Sequence, residues 1–329
     1  MDKANRKARN AIRAIDLFCG AGGSSWGARN AGVQIIAGFD MWRLAGKVYQ
    51  DNFPEAKFYK RKLEYSRPST LAEELGRVDL ILASPECTNH SPAKGSQERS
   101  EASRRTAFQV VRFARALKPR WIVIENVISM KRWKQYPEFV RRLKGLGYYI
   151  HEQILDSADF GVPQSRRRLF LLCSLDGQPT EVTPPSGTRN KPVRDVINLN
   201  GKYKYSLLKT PERAKATLTR ADRAIQELGP NGEFLLVYYG SDGAGGWQRL
   251  DVPLRTITTL DRFALVTPVK GGHQMRMLQV PELQAAMGFP SRFKIKHGTR
   301  REKIHLLGNA VCPPVIEAIL RSLLRERAA

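Results

Sequence analysis

The chain has 329 residues, with 55 Lys and Arg against 31 Asp and Glu, which leaves a formal net charge of +24. An excess of that size fits a polyanionic partner, most simply nucleic acid. A 42% hydrophobic share with 5 Trp, 10 Tyr and 13 Phe excludes wholesale disorder, and no uninterrupted apolar run approaches the ~18 residues of a membrane span.

The length suggests about two domains. The N-terminus is basic (Lys3, Arg6, Lys7, Arg9), but Arg13 and Asp16 interrupt the apolar stretch behind it, so no secretory signal is expected. Ala14 to Phe18 then reads as a short buried strand, followed by Cys19-Gly20-Ala21-Gly22-Gly23 and a helix. Gln34 to Phe39 reads as a second strand ending at Asp40. Val78 to Ala83 runs into Ser84-Pro85-Glu86-Cys87, and Trp121 to Ile124 into Glu125-Asn126-Val127. Leu169 to Cys173 follows Gln164-Ser165-Arg166-Arg167-Arg168. Short apolar strands alternating with helical segments predict an α/β fold, a Rossmann-like, mostly parallel sheet with helices on both faces.

Past Ser174 the composition changes. Pro179, Pro184, Pro185, Gly187 and Pro192 resemble a linker, and short irregular pieces follow, including Phe234 to Tyr239 and the loop Gly240 to Gly246. The expected division is an α/β domain over 1–175, a second, smaller irregular domain over 176–298, and a C-terminal segment, 299–329, that returns to the first domain and ends in a helix over Pro314 to Arg325. The four cysteines, 19, 87, 173 and 312, are widely spaced with no CxxC and no His-Cys cluster. That pattern predicts neither a disulfide scaffold nor a metal site and fits a reducing, cytoplasmic setting.

Four motifs carry chemistry. Glycines at 20, 22 and 23 let the backbone turn tightly, and the following helix offers free N–H groups to a ligand. Asp40, at the end of the next strand, can hold ribose hydroxyls. A ligand-free glycine turn has the same residues, and the spacing is not the GxGxxG of dinucleotide dehydrogenases. Cys87 sits where ligands bind in open α/β sheets, with Thr88, Asn89, His90 and Lys94 beyond it. It can be a nucleophile if its thiolate is stabilised, or a small buried hydrophobe. Glu125 can share a proton with a bound ring if burial raises its pKa, or cap a helix. The arginines at 166, 167 and 168 can form a solvated edge or contact phosphates and bases.

Together the motifs resemble, in order, those of the cytosine-5 DNA methyltransferase family of prokaryotic or phage type. Pro85-Glu86-Cys87 resembles its Pro-Pro-Cys, and Glu125-Asn126-Val127 and Gln164 to Arg168 its next two signatures. Arg276-Met277-Leu278 through Glu282 to Gly288-Phe289-Pro290 resembles its ninth motif and Gly308-Asn309-Ala310-Val311 its tenth. The likeness covers roughly 12–320. It implies methyl transfer from S-adenosylmethionine to carbon 5 of a flipped-out cytosine in a specific DNA sequence, leaving S-adenosylhomocysteine. Cys87 would be the nucleophile, with Glu125 and Arg168 at the ring and Arg166 supporting the site. Residues 1–175 would be the catalytic and cofactor-binding domain and 176–298 the target-recognition domain. Asp16, Phe18, Gly20, Gly22, Gly23, Asp40, Pro85 and Asn309 would form the cofactor pocket. Arg99, Arg104 and Arg105, in a loop over 88–105 that would close behind the flipped base, would contact DNA. Gln164, Trp247, Gln248, Arg249 and Arg255 would do so from elsewhere. A monomer acting on double-stranded DNA is expected, in the bacterial nucleoid or phage-encoded in the host cytoplasm, without a membrane and with a cognate restriction endonuclease as a functional counterpart. RNA cytosine-5 methylation and a catalytically impaired DNA-binding member are the alternatives; a nicotinamide dehydrogenase is disfavoured by charge and glycine spacing.

The chain departs from the family pattern at Glu86, where a carboxylate beside the thiol tends to raise its pKa unless cations such as His90 and the loop arginines compensate. Thr88 follows Cys87 where Gln is common. Lys62-Leu63-Glu64 occupies the region of the usual acidic adenine contact.

Overall fold

The computed structural model describes residues 11–86, 105–239 and 245–325. Its first half is a seven-stranded sheet in the order β3-β2-β1-β4-β5-β7-β6. The strands are β1 (Arg13–Leu17), β2 (Gln34–Asp40), β3 (Lys57–Lys60), β4 (Leu80–Ala83), β5 (Trp121–Asn126), β6 (Tyr149–Asp156) and β7 (Arg167–Ser174). The first five run parallel. β7 inserts antiparallel between β5 and β6, which an all-parallel dinucleotide-binding sheet does not have.

The alternation along each strand assigns its two faces. Ala14, Leu80, Leu82, Trp121, Val123, Phe170 and Leu172 pack toward helices α1 (Gly23–Asn30), α2 (Arg43–Asn52) and α9 (Pro313–Arg325). Ile15, Leu17, Ile81, Ala83, Ile122, Ile124, Leu169 and Leu171 pack toward α3 (Pro68–Leu75), α4 (Phe108–Leu117) and α5 (Tyr136–Lys144). Both faces are therefore covered, as the near-continuous apolar strands require.

The second sheet has the order β10-β9-β11-β12-β8 and is antiparallel throughout. Its strands are β8 (Ser206–Leu207), β9 (Phe234–Val237), β10 (Trp247–Arg249), β11 (Phe263–Val269) and β12 (Gly272–Met277). Helix α6 (Lys215–Leu228) covers one face through Ala221 and Ala224 against Phe234, Leu236, Ala264 and Val266. The other face, with Leu235, Val237, Phe263 and Leu265, joins the core of the first sheet.

After β12 the chain turns back through α7 (Val280–Ala286) and α8 (Arg300–Asn309) to α9. This return begins earlier than residue 299. Phe293 already packs edge-on against Trp26 of α1 at 5.1 Å, and Asn52 of α2 exchanges two hydrogen bonds with the Lys294 backbone at 2.8 Å each. The stretch Arg300–Arg325 is apolar and long enough by composition to cross a membrane, although most of it is buried within the protein. It is two helices, separated at Ala310–Cys312, and its buried side lies on α1 so closely that a Cβ on Gly27 would sit 2.3 Å from the Pro313 carbonyl.

Candidate active site

Parallel strands put their carboxyl ends at one edge, and the motifs collect there. β1 delivers the glycine loop, β2 Asp40, β4 Pro85 and β5 Glu125. The antiparallel β7 brings its beginning, Arg167 and Arg168, to that same edge. Cys87, Arg99 and Arg104 lie outside the described residues, as does the Arg105 side chain.

The glycine loop is shaped by close approach. Gly20 and Gly22 have φ of +51° and +88°. A Cβ on Gly22 would meet Phe53 at 2.5 Å, and one on Gly23 the Val311 carbonyl at 2.1 Å, so the tenth-motif segment lies directly on the loop. A Cβ on Gly20 would meet nothing within 4 Å. Open space beside a tight turn is what a ligand-admitting loop needs. Phe18 holds φ +60°, a costly conformation for a bulky residue and one that clusters at binding sites.

Two carboxylates organise this end. Asp40 accepts from the Gly20 N–H through Oδ2 at 2.9 Å and from the Trp42 N–H through Oδ1 at 2.8 Å, which fixes the glycine loop against β2. Burial raises its pKa. Asp16 is fully buried, accepts from Ser25 Oγ at 2.7 Å through Oδ2, and has no hydrogen-bond partner at Oδ1. Ser25 Oγ also lies 2.8 Å from the Tyr49 hydroxyl. Burial pushes the Asp16 carboxyl up to about 7. Ser25, in the first turn of α1, orients Asp16 and so joins the candidate site; a hydroxyl in the first turn after a glycine loop is the sequence signal for it.

On the other side of the edge, Glu125 and Arg168 share the α1-side face of the sheet. Alternation gives Glu125 the side of Val123, and Arg168 the side of Phe170 on the paired strand. They form an ion pair at 3.2 Å with both side chains mostly buried. Burial raises the Glu125 pKa, against the pull of Arg168 and then Arg166. Glu125 is thus a strand-end carboxyl facing arginine, and the capping alternative falls away. Asn126 holds the approach to Cys87 by donating to the Pro85 carbonyl at 3.1 Å.

Arg166 is buried two residues before Arg168 and its charge also acts on Glu125. Its guanidinium donates to the Ile257 carbonyl at 3.0 Å and the Gly308 carbonyl at 2.8 Å, both buried. Gln164, expected at DNA, is fully buried; its Oε1 accepts from the Ile257 N–H at 2.7 Å and its Nε2 donates to Met287 Sδ at 2.8 Å. Gln248, likewise expected at DNA, is buried with both amide ends used, on the Pro253 carbonyl at 3.0 Å and the Arg255 N–H at 3.0 Å. Trp247 is half-buried against Phe234, at 6.3 Å edge-on. Arg249 is exposed but paired with Asp251 at 2.6 Å. It ends β10 beside a pocket of about 350 Å³ lined by Arg194, Glu233 and Asp251 among others. Arg255 is half-buried, and Asn309 is exposed at the end of α8. Glu64 is exposed just past β3, in a turn whose Leu63 is buried.

The profile of the family described as C-5 cytosine-specific DNA methylase matches residues 12–325. The chain belongs to that family. The Type II methyltransferase M.AgeI of Thalassovita gelatinovora is 32% identical over 57% of the chain, a match that spans only 45% of that protein. The Type II methyltransferase M.HgiDI of Herpetosiphon aurantiacus is 27% identical over 91% of the chain and 90% of its own length. The Entamoeba histolytica methyltransferase EhMeth superposes with a TM-score of 0.71 at 20% identity, covering 97% and 99% of the two chains, a likeness of fold. No group of three or more His, Cys, Asp or Glu is arranged to hold a metal among the described residues.

Proposed function

We propose that this protein is a DNA cytosine-5 methyltransferase that uses S-adenosylmethionine and acts on a flipped-out cytosine through a covalent adduct with Cys87. The observation that supports it best is the buried Glu125–Arg168 pair at the edge that also carries the glycine loop and the Pro85-Glu86 approach to Cys87.

The residues fit the cofactor. Gly20 leaves open space, the Oδ1 of Asp16 is a buried acceptor in want of a donor, and Asp40 faces the loop from β2 with both oxygens already oriented. The Asp16 carboxylate would meet the ammonium of the cofactor's methionine part, Asp40 would take the ribose hydroxyls, Phe18 would pack on the adenine, and Asn309 would close the pocket. When bound, S-adenosylmethionine supplies an electrophilic methyl group on a sulfonium.

The chain supplies the rest. Cytosine is a poor carbon nucleophile, and addition of the Cys87 thiolate to carbon 6 makes carbon 5 nucleophilic. Glu125, whose pKa burial raises, would share a proton with ring N3 as the sulfur adds, and Arg168 would steady charge at the ring carbonyl. Once carbon 5 carries the methyl group, its proton passes to water, the electron pair it leaves forms the carbon 5–carbon 6 double bond and expels Cys87 as the thiolate, and the N3 proton returns to Glu125. A base inside a duplex cannot reach this edge, so it must leave the stack. Residues 176–298 would read the flanking sequence, and Arg99, Arg104 and Arg105 would hold phosphates. We place the enzyme in the cytoplasm, paired functionally with a restriction endonuclease.

Transfer of labelled methyl from S-adenosylmethionine to duplex DNA and to total RNA tests this. Label in DNA supports the reading, label confined to RNA changes the substrate, and label in neither with cofactor bound points to a binding module. The +24 charge carries a separate expectation. The logarithm of DNA affinity should fall linearly with that of salt, losing roughly 10³-fold between 50 and 200 mM if six or more phosphates are contacted. A flat profile would contradict the polyanion assignment.

A further inference from the structure

Arg166 joins three parts of the chain that the reaction must bring together. Its backbone leads directly into Arg168, which pairs with Glu125. Its guanidinium reaches Ile257 O, on the segment that enters the second sheet, and Gly308 O, the residue before Asn309 in α8. The packing between those two carbonyls is tight, since a Cβ on Gly308 would sit 2.3 Å from the Thr258 carbonyl.

The neighbouring bonds lock the same junction. Ser165 N–H donates to Leu254 O at 2.8 Å, and Leu254 N–H donates to Pro163 O at 3.0 Å. Thr256 Oγ1 donates to Ser165 O at 2.9 Å. Asp156 accepts from the Arg166 N–H at 2.8 Å and from Ser165 Oγ at 2.6 Å, so the turn before β7 cannot swing independently of the sheet. Tyr239, which precedes the glycine-rich recognition loop, donates from its hydroxyl to Thr256 O at 2.8 Å. Residues 254–258 are therefore a strap. One side is bonded to the catalytic turn, the other to α8 and to the base of the recognition loop.

We propose that Arg166 is a positioning residue that couples cofactor binding at Asn309 to DNA binding at the recognition segment 254–258. This inference rests on the function proposed above. A ligand that fixes Asn309 fixes Gly308, and through the shared guanidinium fixes Ile257; DNA that fixes the strap does the same in reverse. Coupling between two sites is reciprocal by thermodynamic necessity.

The test measures dissociation constants of one DNA duplex with and without saturating S-adenosylhomocysteine, for the wild type, Arg166→Met, Arg166→Lys and Gly308→Ala. The wild type is expected to bind DNA at least about fivefold tighter with the cofactor product present, the low end of typical coupling. In Arg166→Met and Gly308→Ala the factor should fall to about one, with Arg166→Lys between. A residue that merely supports the fold would weaken both affinities and leave their ratio intact, and that result overturns the proposal. So does a wild-type factor of one. Should Arg166→Met not fold, Gly308→Ala and Arg166→Lys carry the comparison. Methyl transfer by the wild type, run alongside, separates failure of this coupling from failure of the proposed reaction.

Discussion

Cys87→Ala is expected to bind duplex DNA and transfer no methyl group to it. The substitution removes the one group proposed to add to the ring, and without that addition carbon 5 has no route to nucleophilicity at neutral pH. Glu125→Gln is the graded companion. Its pKa is raised by burial against the opposing charges of Arg168 and Arg166, the direction that favours sharing a proton with ring N3. Gln keeps the shape and can still donate a hydrogen bond, but cannot transfer the proton. Loss of one positioned acid is typically worth 10²–10⁴ in rate, and kcat should fall by about that factor with DNA affinity nearly unchanged. The pH profile gives the sign. Activity that needs the carboxyl protonated is lost as pH rises through its raised pKa, whereas the thiolate is gained, so kcat should be bell-shaped. In Glu125→Gln the alkaline limb should disappear. Retained activity in Cys87→Ala, or an unchanged alkaline limb in Glu125→Gln, would remove these assignments.

How far such roles could be read in advance depends on where the partners lie. The strands carrying the glycine loop, Asp40, Pro85 and Glu125 are short apolar runs buried on both faces, and that pattern is local. β3 and β6 are edge strands with half-exposed, polar sequences (Lys57-Phe58-Tyr59-Lys60, and His151-Glu152-Gln153 within β6), so no apolar run marks them. The antiparallel entry of β7 depends on β6 pairing from outside, which no local signal announces.

Polar residues show the same limit more sharply. Gln164, Arg166 and Gln248 carry side chains that usually face water or a ligand. They are buried because backbone groups come to meet them: for Gln164 and Arg166 those of Ile257 more than 90 positions away, for Gln248 those of a tight turn a few residues on. Arg168 was legible because strand alternation puts it on the same face as Phe170, the register partner of Glu125, once β5 and β7 pair. Alternation would send Arg166, two residues before it, to the same side, but Arg166 precedes the strand and its guanidinium is held by the Ile257 and Gly308 carbonyls.

Asp16→Asn is expected to stabilise the unliganded protein at alkaline pH and to abolish its stabilisation by cofactor. Asp16 is fully buried, with one oxygen on Ser25 and the other without a partner. Its carboxyl is pushed from 3.8 to about 7, chiefly by that burial. The folded state therefore binds this proton more tightly than the unfolded chain. Stability contributed by the group is fully present below 3.8, falls as pH rises from there to about 7, and stays low above. The full difference is on the order of 4 kcal/mol, an upper figure that relaxation of the pocket reduces. Asn carries no charge to bury, so the variant should melt several degrees higher than the wild type at pH 8.5 and within a degree or so of it near pH 4. Cofactor reverses the order. A cationic ammonium against Oδ1 favours the ionised carboxylate, so S-adenosylhomocysteine should raise the melting temperature of the wild type in proportion to its binding and leave Asp16→Asn nearly unmoved. Because the same carboxylate must ionise to bind, cofactor affinity in the wild type should weaken as pH falls through about 7. Equal melting temperatures for the two unliganded proteins at pH 8.5 would show that the carboxylate is not strained by its burial. Equal shifts on adding cofactor would show that it is not the ammonium partner. A carboxylate buried with one oxygen lacking a hydrogen-bond partner, where an amide of the same shape is expected to be more stable, is the kind of stability cost that a ligand-binding role would explain.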